Sequence, residues 1–329
     1  MANSVNQSPM RLLAVIVLYK MKPNESVTFS SLQASIACLP KELADIRILV
    51  YDNTPGGQDP GEIPTGVRYM ADPENKGLAP AYNYAIQVAL EDECDWLLTL
   101  DQDTCLPSSF IQDMVHTARY VAHFDRVGAI LPRISEKERI VSPHALRRHL
   151  ALLKPFPDGF VGVALENTTA ANSASLIKVS ALTEIGGYDP RYHFDFSDWV
   201  LFHRLYQNNY VVFVAGNIHV EHSLSVLDLD NRTTPERYAA LLRAEDAFCN
   251  EYMGRLESTI IFCKILFRLA YKIWATGGSL PFFKVSLRFL CGRIFRSRAT
   301  RMKIWEEAAR LRSTPGQDRG ANPGNHLSS

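Results

Sequence analysis

None of the six cysteines, Cys38, Cys94, Cys105, Cys249, Cys263 and Cys291, forms a Cys-x-x-Cys pair, so their spacing suggests no zinc site. Free thiols in a reducing cytoplasm are expected. Surplus charge is also missing. Lys and Arg number 35 against 35 Asp and Glu, which argues against a generally basic nucleic-acid binder. The apolar run near the N-terminus, Leu12 to Tyr19, is too short to cross a bilayer, and no small-residue cleavage site follows it. It reads as a first buried strand. Internal repeats are absent as well.

What is present is a large apolar fraction, 47 % of 329 residues, enough for a sizeable core. From residue 11 to about 131, short apolar runs alternate with segments of helical periodicity. The runs are 11–19, 46–52, 67–70, 96–101 and 127–131. The helical segments are 26–39, 78–92 and 108–124. This alternation predicts an α/β fold with a mostly parallel sheet covered on both faces. Ligands of such sheets bind at the carboxyl ends of the strands. Polar residues gather at those ends: Tyr19-Lys20, Asp52-Asn53, "DPENKGLAPAYN" and Asp101-Gln102-Asp103. Residues 132–165, with several prolines and the basic cluster "HALRRHL", read as an irregular surface excursion. From about 235 the chain reads as helix, and 314–329 as a disordered polar tail.

Asp101 and Asp103 carry the clearest chemistry. Two carboxylates one residue apart at a strand end can share one hard divalent cation, Mg²⁺ or Mn²⁺, whose remaining positions a diphosphate fills. The alternative is an exposed turn in which Asp103 caps the helix that starts near Ser108.

"VIVLYK", "ILVYDN", "ENKGLAPAYNYAI", "WLLTLDQDT" and "SASLIKVSALTEIGGYDPRYHFDFSDWVLFHRL" follow one another in the order found in inverting glycosyltransferases of family 2. The sequence resembles that family over residues 11 to about 225, and the Asp-Gln-Asp form resembles bacterial rhamnosyltransferases. The resemblance implies a GT-A fold, Rossmann-like, and a nucleotide-diphospho-sugar donor. It implies that Asp52 contacts the pyrimidine base, as acceptor of an imide N–H, or bonds its own loop backbone. Asn75 and Gly77 match the segment passing close to the nucleotide. Asn83 is as consistent with a structural role as with a functional one. Tyr19, Asn53, Asp101 and Gln102 complete the expected donor contacts. Asp198 falls at the catalytic base, with Asp195 as the orienting carboxylate and the next candidate. In "NIHVEHSLS", His222 is the expected third metal ligand beside Asp101 and Asp103, with His219 as competitor. The chain departs from the family pattern at Val200, where an acid is expected, and at Phe202-His203. Both departures concern the acceptor.

The helical part is strongly basic. Residues 251–313 hold thirteen Lys and Arg against four Glu. Lys264, Arg268 and Lys272 recur every four residues on an otherwise apolar helix. That is the pattern of a helix lying in the membrane interface with its cations toward anionic headgroups, or of an oligomer-forming helix. The expected organisation is a catalytic domain over 1–234 (nucleotide-sugar part about 11–131, acceptor part about 132–234), a helical membrane-associating or oligomerising region over 235–313, and the tail. The expected protein is a cytoplasmic enzyme, peripheral on the inner membrane. It moves L-rhamnose from dTDP-rhamnose to a lipid-linked or surface polysaccharide acceptor. The rivals are transfer from another UDP- or dTDP-sugar, and a non-catalytic nucleotide-sugar-binding scaffold.

Overall fold

The computed structural model describes residues 9–124, 126–137, 139–147, 152–222, 234–275 and 277–313. The tail, part of the basic cluster after Arg147 and the stretch after His222 lie outside them. The first half alternates β1 (Met10–Leu18), α1 (Val27–Ala37), β2 (Ala44–Asp52), β3 (Val67–Ala71), α2 (Leu78–Glu91), β4 (Trp96–Asp101), β5 (Thr104–Cys105), α3 (Phe110–Val121) and β6 (Val127–Glu136). Then come the short strands β7 (Arg139–Ser142), β8 (His144–Arg147), β9 (Leu152–Pro155), β10 (Val161–Ala164), β11 (Thr168–Thr169) and β12 (Ser175–Lys178). The helices α4 (Val179–Glu184) and α5 (Ser197–Gln207) and the long strand β13 (Val211–His222) complete the α/β part. The helices α6 (Pro235–Tyr252), α7 (Arg255–Ala275), α8 (Leu280–Phe295) and α9 (Arg298–Ser313) follow.

The main sheet runs β10-β13-β6-β12-β4-β1-β2-β3, with β5 on β13 and β7 on β6. Strands β3, β2, β1 and β4 are parallel, β12 is antiparallel between β4 and β6, and β13 lies parallel to β6. Leu12 to Leu18 of β1 are buried without interruption, as a central parallel strand covered on both faces requires. One face packs on Ala81, Tyr82, Ala85 and Ala89 of α2, the other on Phe110, Met114 and Ala118 of α3. Both sets recur at helical three- and four-residue spacing. Ser26 caps α1 by accepting the Phe29 N–H at 3.2 Å. The register sets Leu18 beside Asp52 and Val17 beside Asp101, so the polar ends of β1, β2 and β4 form one rim.

Two expectations need correction. Residues 132–165 are not an irregular excursion. Strand β6 continues to Glu136 because β13 runs beside it, pairing Ala215 with Pro132, and β8, β9 and β11 form a second small sheet. Pro143 lies between β7 and β8 and Pro155 ends β9, positions that proline tolerates, while Pro132 lies within β6 at the register shift of its pairing with β13. The basic stripe of α7 does not face outward either. Lys272 is 3 % exposed and its Nζ lies 4.8 Å from the Phe282 ring centroid, while Arg268 pairs with Glu245 of α6. Lys264 alone of the three is exposed. The outward face carries Phe267, Tyr271 and Trp274, the first 82 % exposed. Four-residue spacing places side chains on one face but does not say what faces them; here an acid and an aromatic ring of neighbouring helices do. Among the described residues no helix is long and apolar enough to cross a membrane.

Candidate active site

The carboxyl end of β4 is held by hydroxyls. Thr28 donates to the Asp101 carbonyl at 2.6 Å, Ser26 donates to that of Gln102 at 2.8 Å, and the Ser173 hydroxyl accepts the Asp101 N–H at 3.0 Å. The Gln102 side chain turns back to accept the Tyr19 N–H at 2.7 Å, tying the ends of β1 and β4 together. Asp101 and Asp103 are left partly exposed, at 30 % and 36 % of their side chains.

His222 reaches this end because β13 pairs with β5, setting His222 opposite Thr104. Its Nδ1 lies 2.8 Å from the Thr104 hydroxyl and 3.5 Å from Asp103, and its Nε2 lies 3.8 Å from Asp101. His219 sits on an exposed position of the strand in register with Arg133, so the structure brings His222 and not His219 to the paired carboxylates. Burial, and then the charge of Asp101, raise the Asp103 pKa, against the opposing pull of His222. Two carboxylates in partial burial fit a hard cation chemically. Among the described residues, however, no group of three or more His, Cys, Asp and Glu side chains is set to hold a metal ion. A cation there would need ligands from the diphosphate, the usual state of Mg²⁺ sites.

The expected base-contact residues are engaged internally. Asp52 is buried and accepts the Thr54 N–H at 2.9 Å and the Tyr69 hydroxyl at 2.5 Å. The loop-bonded alternative for Asp52 is thus the arrangement observed. Asn53 donates to the Gly77 carbonyl at 3.1 Å, and among the described residues nothing donates to the side-chain oxygens of Asn53 and Asn75. Gly77, at φ +104°, makes a close approach, but to the protein's own chain: a Cβ would stand 2.4 Å from the His193 carbonyl oxygen. That carbonyl accepts the Leu78 N–H at 2.6 Å and so caps α2. Asn83 is structural, clamping both backbone groups of Tyr188 at 2.8 Å.

Asp198 opens α5 and accepts the Trp199 N–H at 2.8 Å. Its pKa is raised to about 7, first by burial and then by the negative charges of Asp101 and Asp195, against the lowering effect of that N–H. Asp195 is itself paired with Arg237 of α6. Between the two acidic loci stand Tyr82 and Tyr188, with ring centroids 4.9 Å apart; the Tyr82 hydroxyl lies 3.2 Å from Asp101. Both phenol pKa values are raised by burial and by the charges of Asp101 and Asp198. Sequence reasoning missed Tyr82, Tyr188, Thr104 and Ser173. Only the packing of α2 on the sheet and the β12–β4 and β13–β5 pairings bring them to the rim. The departures from the family pattern also gain a reason. Val200 is fully buried in a cluster with Ala244, Ala247 and Phe248 of α6, and the His203 ring lies 5.0 Å from that of Tyr252. These positions dock α5 onto the helical region.

Residues 32–186 match the family model described as glycosyl transferase family 2. The architecture around the match is mixed α/β, with a mostly parallel central sheet and C-terminal helices. No curated protein matches the chain. Among solved structures, it is similar to S. aureus TarS (TM-score 0.48, 12 % identity, 91 % of this chain and 55 % of that one). It is also similar to S. aureus TarS 1-349 in complex with UDP (0.48, 13 %, 90 % and 75 %). The same fragment, TarS 1-349, gives 0.47, 12 %, 92 % and 92 %. The chain thus spans about 55 % of the longest of these.

Proposed function

We propose that the protein is an inverting glycosyltransferase in which Asp198 is the general base. The observation that carries this reading is a carboxylate in the first turn of α5, whose pKa burial and the nearby charge of Asp101 raise to about 7. A base works best when its pKa lies near the working pH. Asp198 takes the proton of the acceptor hydroxyl, the freed oxygen attacks the anomeric carbon, and the sugar–diphosphate bond breaks on the opposite face. Asp195, fixed by Arg237, orients the loop that carries the base. Tyr82 holds Asp101 in place at the rim. Mg²⁺ or Mn²⁺, held by Asp101 and Asp103 with His222 beside them, would supply positive charge for the departing diphosphate.

The donor is dTDP-rhamnose in this reading, supported by the Asp-Gln-Asp sequence alone, and the acceptor a lipid-linked or surface saccharide. The protein rests on the cytoplasmic face of a membrane through the outward aromatic face of α7, with Lys264 toward anionic headgroups. A second copy of the chain is the other occupant that face could take. The test is a donor-hydrolysis screen of the purified protein across nucleotide sugars, with and without Mn²⁺. Release of dTDP from dTDP-rhamnose above all other donors is expected. No hydrolysis of any donor would favour the scaffold reading.

A further inference from the structure

Helices α6, α8 and α9 line an open cavity of about 260 Å³ that holds six arginines and one acid. The acid, Asp246, is committed to two of them. It pairs with Arg293 and accepts from Arg301 Nε at 2.8 Å. Among the described residues, no ion-pair partner faces the other four, Arg243, Arg288, Arg296 and Arg312. The rest of the wall is mainly apolar, with Leu242, Val285, Phe289, Ile304 and Ala308. The Arg312 guanidinium lies 5.6 Å from the Trp305 ring centroid and donates weakly to the Arg191 carbonyl at 3.4 Å. The pKa of Arg243 is lowered by burial, and that of Arg312 by burial and by Arg243, so the two guanidinium charges repel each other without a counter-ion. Arg243, Arg288 and Arg296 are open to solvent, and an anion entering among the guanidinium groups would offset their mutual repulsion.

The cavity wall also touches the segment that leads into α5, through the Arg312 guanidinium on the Arg191 carbonyl. After burial, the charges of Arg312, Arg237 and Arg243 bring the His193 pKa down to about 4. His193 stands two residues before Asp195 and caps α2 through its carbonyl. An anion beside Arg312 would sit near the segment from Arg191 to Asp195 that leads into α5.

We propose that this cavity holds the phosphate or diphosphate of an amphiphilic acceptor, with guanidinium groups on the anion and the apolar wall on its chain. The assignment rests on the transferase reading above, and it names the acceptor class that the reading leaves open. Arginine forks suit phosphate oxygens, and an apolar pocket with a few convergent polar groups suits a small ligand.

Titration calorimetry of the full chain with decyl phosphate, inorganic phosphate and neutral decyl glucoside tests it without turnover. Decyl phosphate should bind at least tenfold more tightly than either of the others, and inorganic phosphate should compete with it. The double variant Arg243→Gln, Arg312→Gln should lose at least tenfold in affinity, and Arg243→Lys, Arg312→Lys should recover part of it. Thermal unfolding checks that both remain folded. Equal binding of decyl glucoside, or unchanged affinity in the Gln variant, overturns the site. Inorganic phosphate binding as tightly as decyl phosphate overturns the amphiphile and leaves a free-anion site. Donor hydrolysis by a protein that binds no decyl phosphate sinks this inference alone. Arginine-dependent binding in a protein that hydrolyses no donor sinks the transferase reading instead.

Discussion

At the acidic rim, burial and the charge of Asp101 raise the pKa values of both Asp103 and Asp198, with Asp195 adding to the second. In the helical cavity, six arginines meet one acid; burial lowers the pKa of Arg243, and burial together with the charge of Arg243 lowers that of Arg312. Other charge clusters among the described residues are paired, as in Arg191 with Asp189 and Glu251, or Arg47 and Arg68 with Asp92. Like charges gathered in partial burial destabilise the ligand-free fold. The two exceptions, opposite in sign, are where a cation and an anion have the most to contribute. The contrast teaches that the charge balance of the whole chain conceals two local imbalances.

The largest test of the acidic half is removal of the cation. With EDTA, sugar transfer should vanish and return on adding Mn²⁺ or Mg²⁺. Asp103→Ala should weaken donor binding as well as turnover. Full activity of that variant in chelator would show that the two carboxylates need no cation.

Next is Asp198→Asn, expected to lower turnover by ~10²–10⁴-fold with donor binding nearly unchanged. A base must be deprotonated to act, so the wild-type rate should rise with pH along a limb near 7 and then level off, and the variant should lack that limb. The stability effect has the opposite sense. The folded pKa lies above the unfolded value of about 3.9. Ionising Asp198 therefore lowers stability progressively as pH rises from there through about 7. The variant should melt higher than the wild type at pH 8 and equally at pH 3, measured by calorimetry. Equal melting at both values would mean that the cleft charges do not oppose one another.

A smaller effect belongs to Gly77→Ala. Its left-handed backbone alone costs ~1–3 kcal/mol for a residue with a Cβ, and the added methyl must displace His193. Loss of stability together with weaker acceptor use is expected, read by denaturant melts and by the acceptor KM. The smallest concerns the membrane face. Lys264→Gln should weaken binding to anionic vesicles about fivefold, since one cation near such a surface contributes ~1 kcal/mol. Replacing Phe267 and Trp274 with Ser should weaken it further, and high salt should not restore it. Unchanged vesicle binding in both variants would point to a second copy of the chain on this face.

Much of this protein could be read from its sequence. Apolar runs alternating with helical periodicity determine the parallel half of the sheet, because burial on both faces demands continuous apolar strands. Acids directly after an apolar run mark the carboxyl ends, hence Asp52, Asp101 and Asp103. The tertiary structure decided what those residues meet. Whether His222 or His219 reaches the carboxylates depends on β13 pairing with β5, a contact more than a hundred residues apart in the chain. Whether Asp52 is open or bonded to Tyr69 depends on the β2–β3 register. Lys264, Arg268 and Lys272 show the same limit: their spacing made one stripe, but helix packing turned Arg268 and Lys272 inward and left Phe267 and Trp274 outside. The arginine cavity has no linear signature, because α6, α8 and α9 each contribute part of it. Local sequence sets the period and the charge of each element, whereas the partner of a charge is set by which elements pack together, and long-range packing alone supplies that.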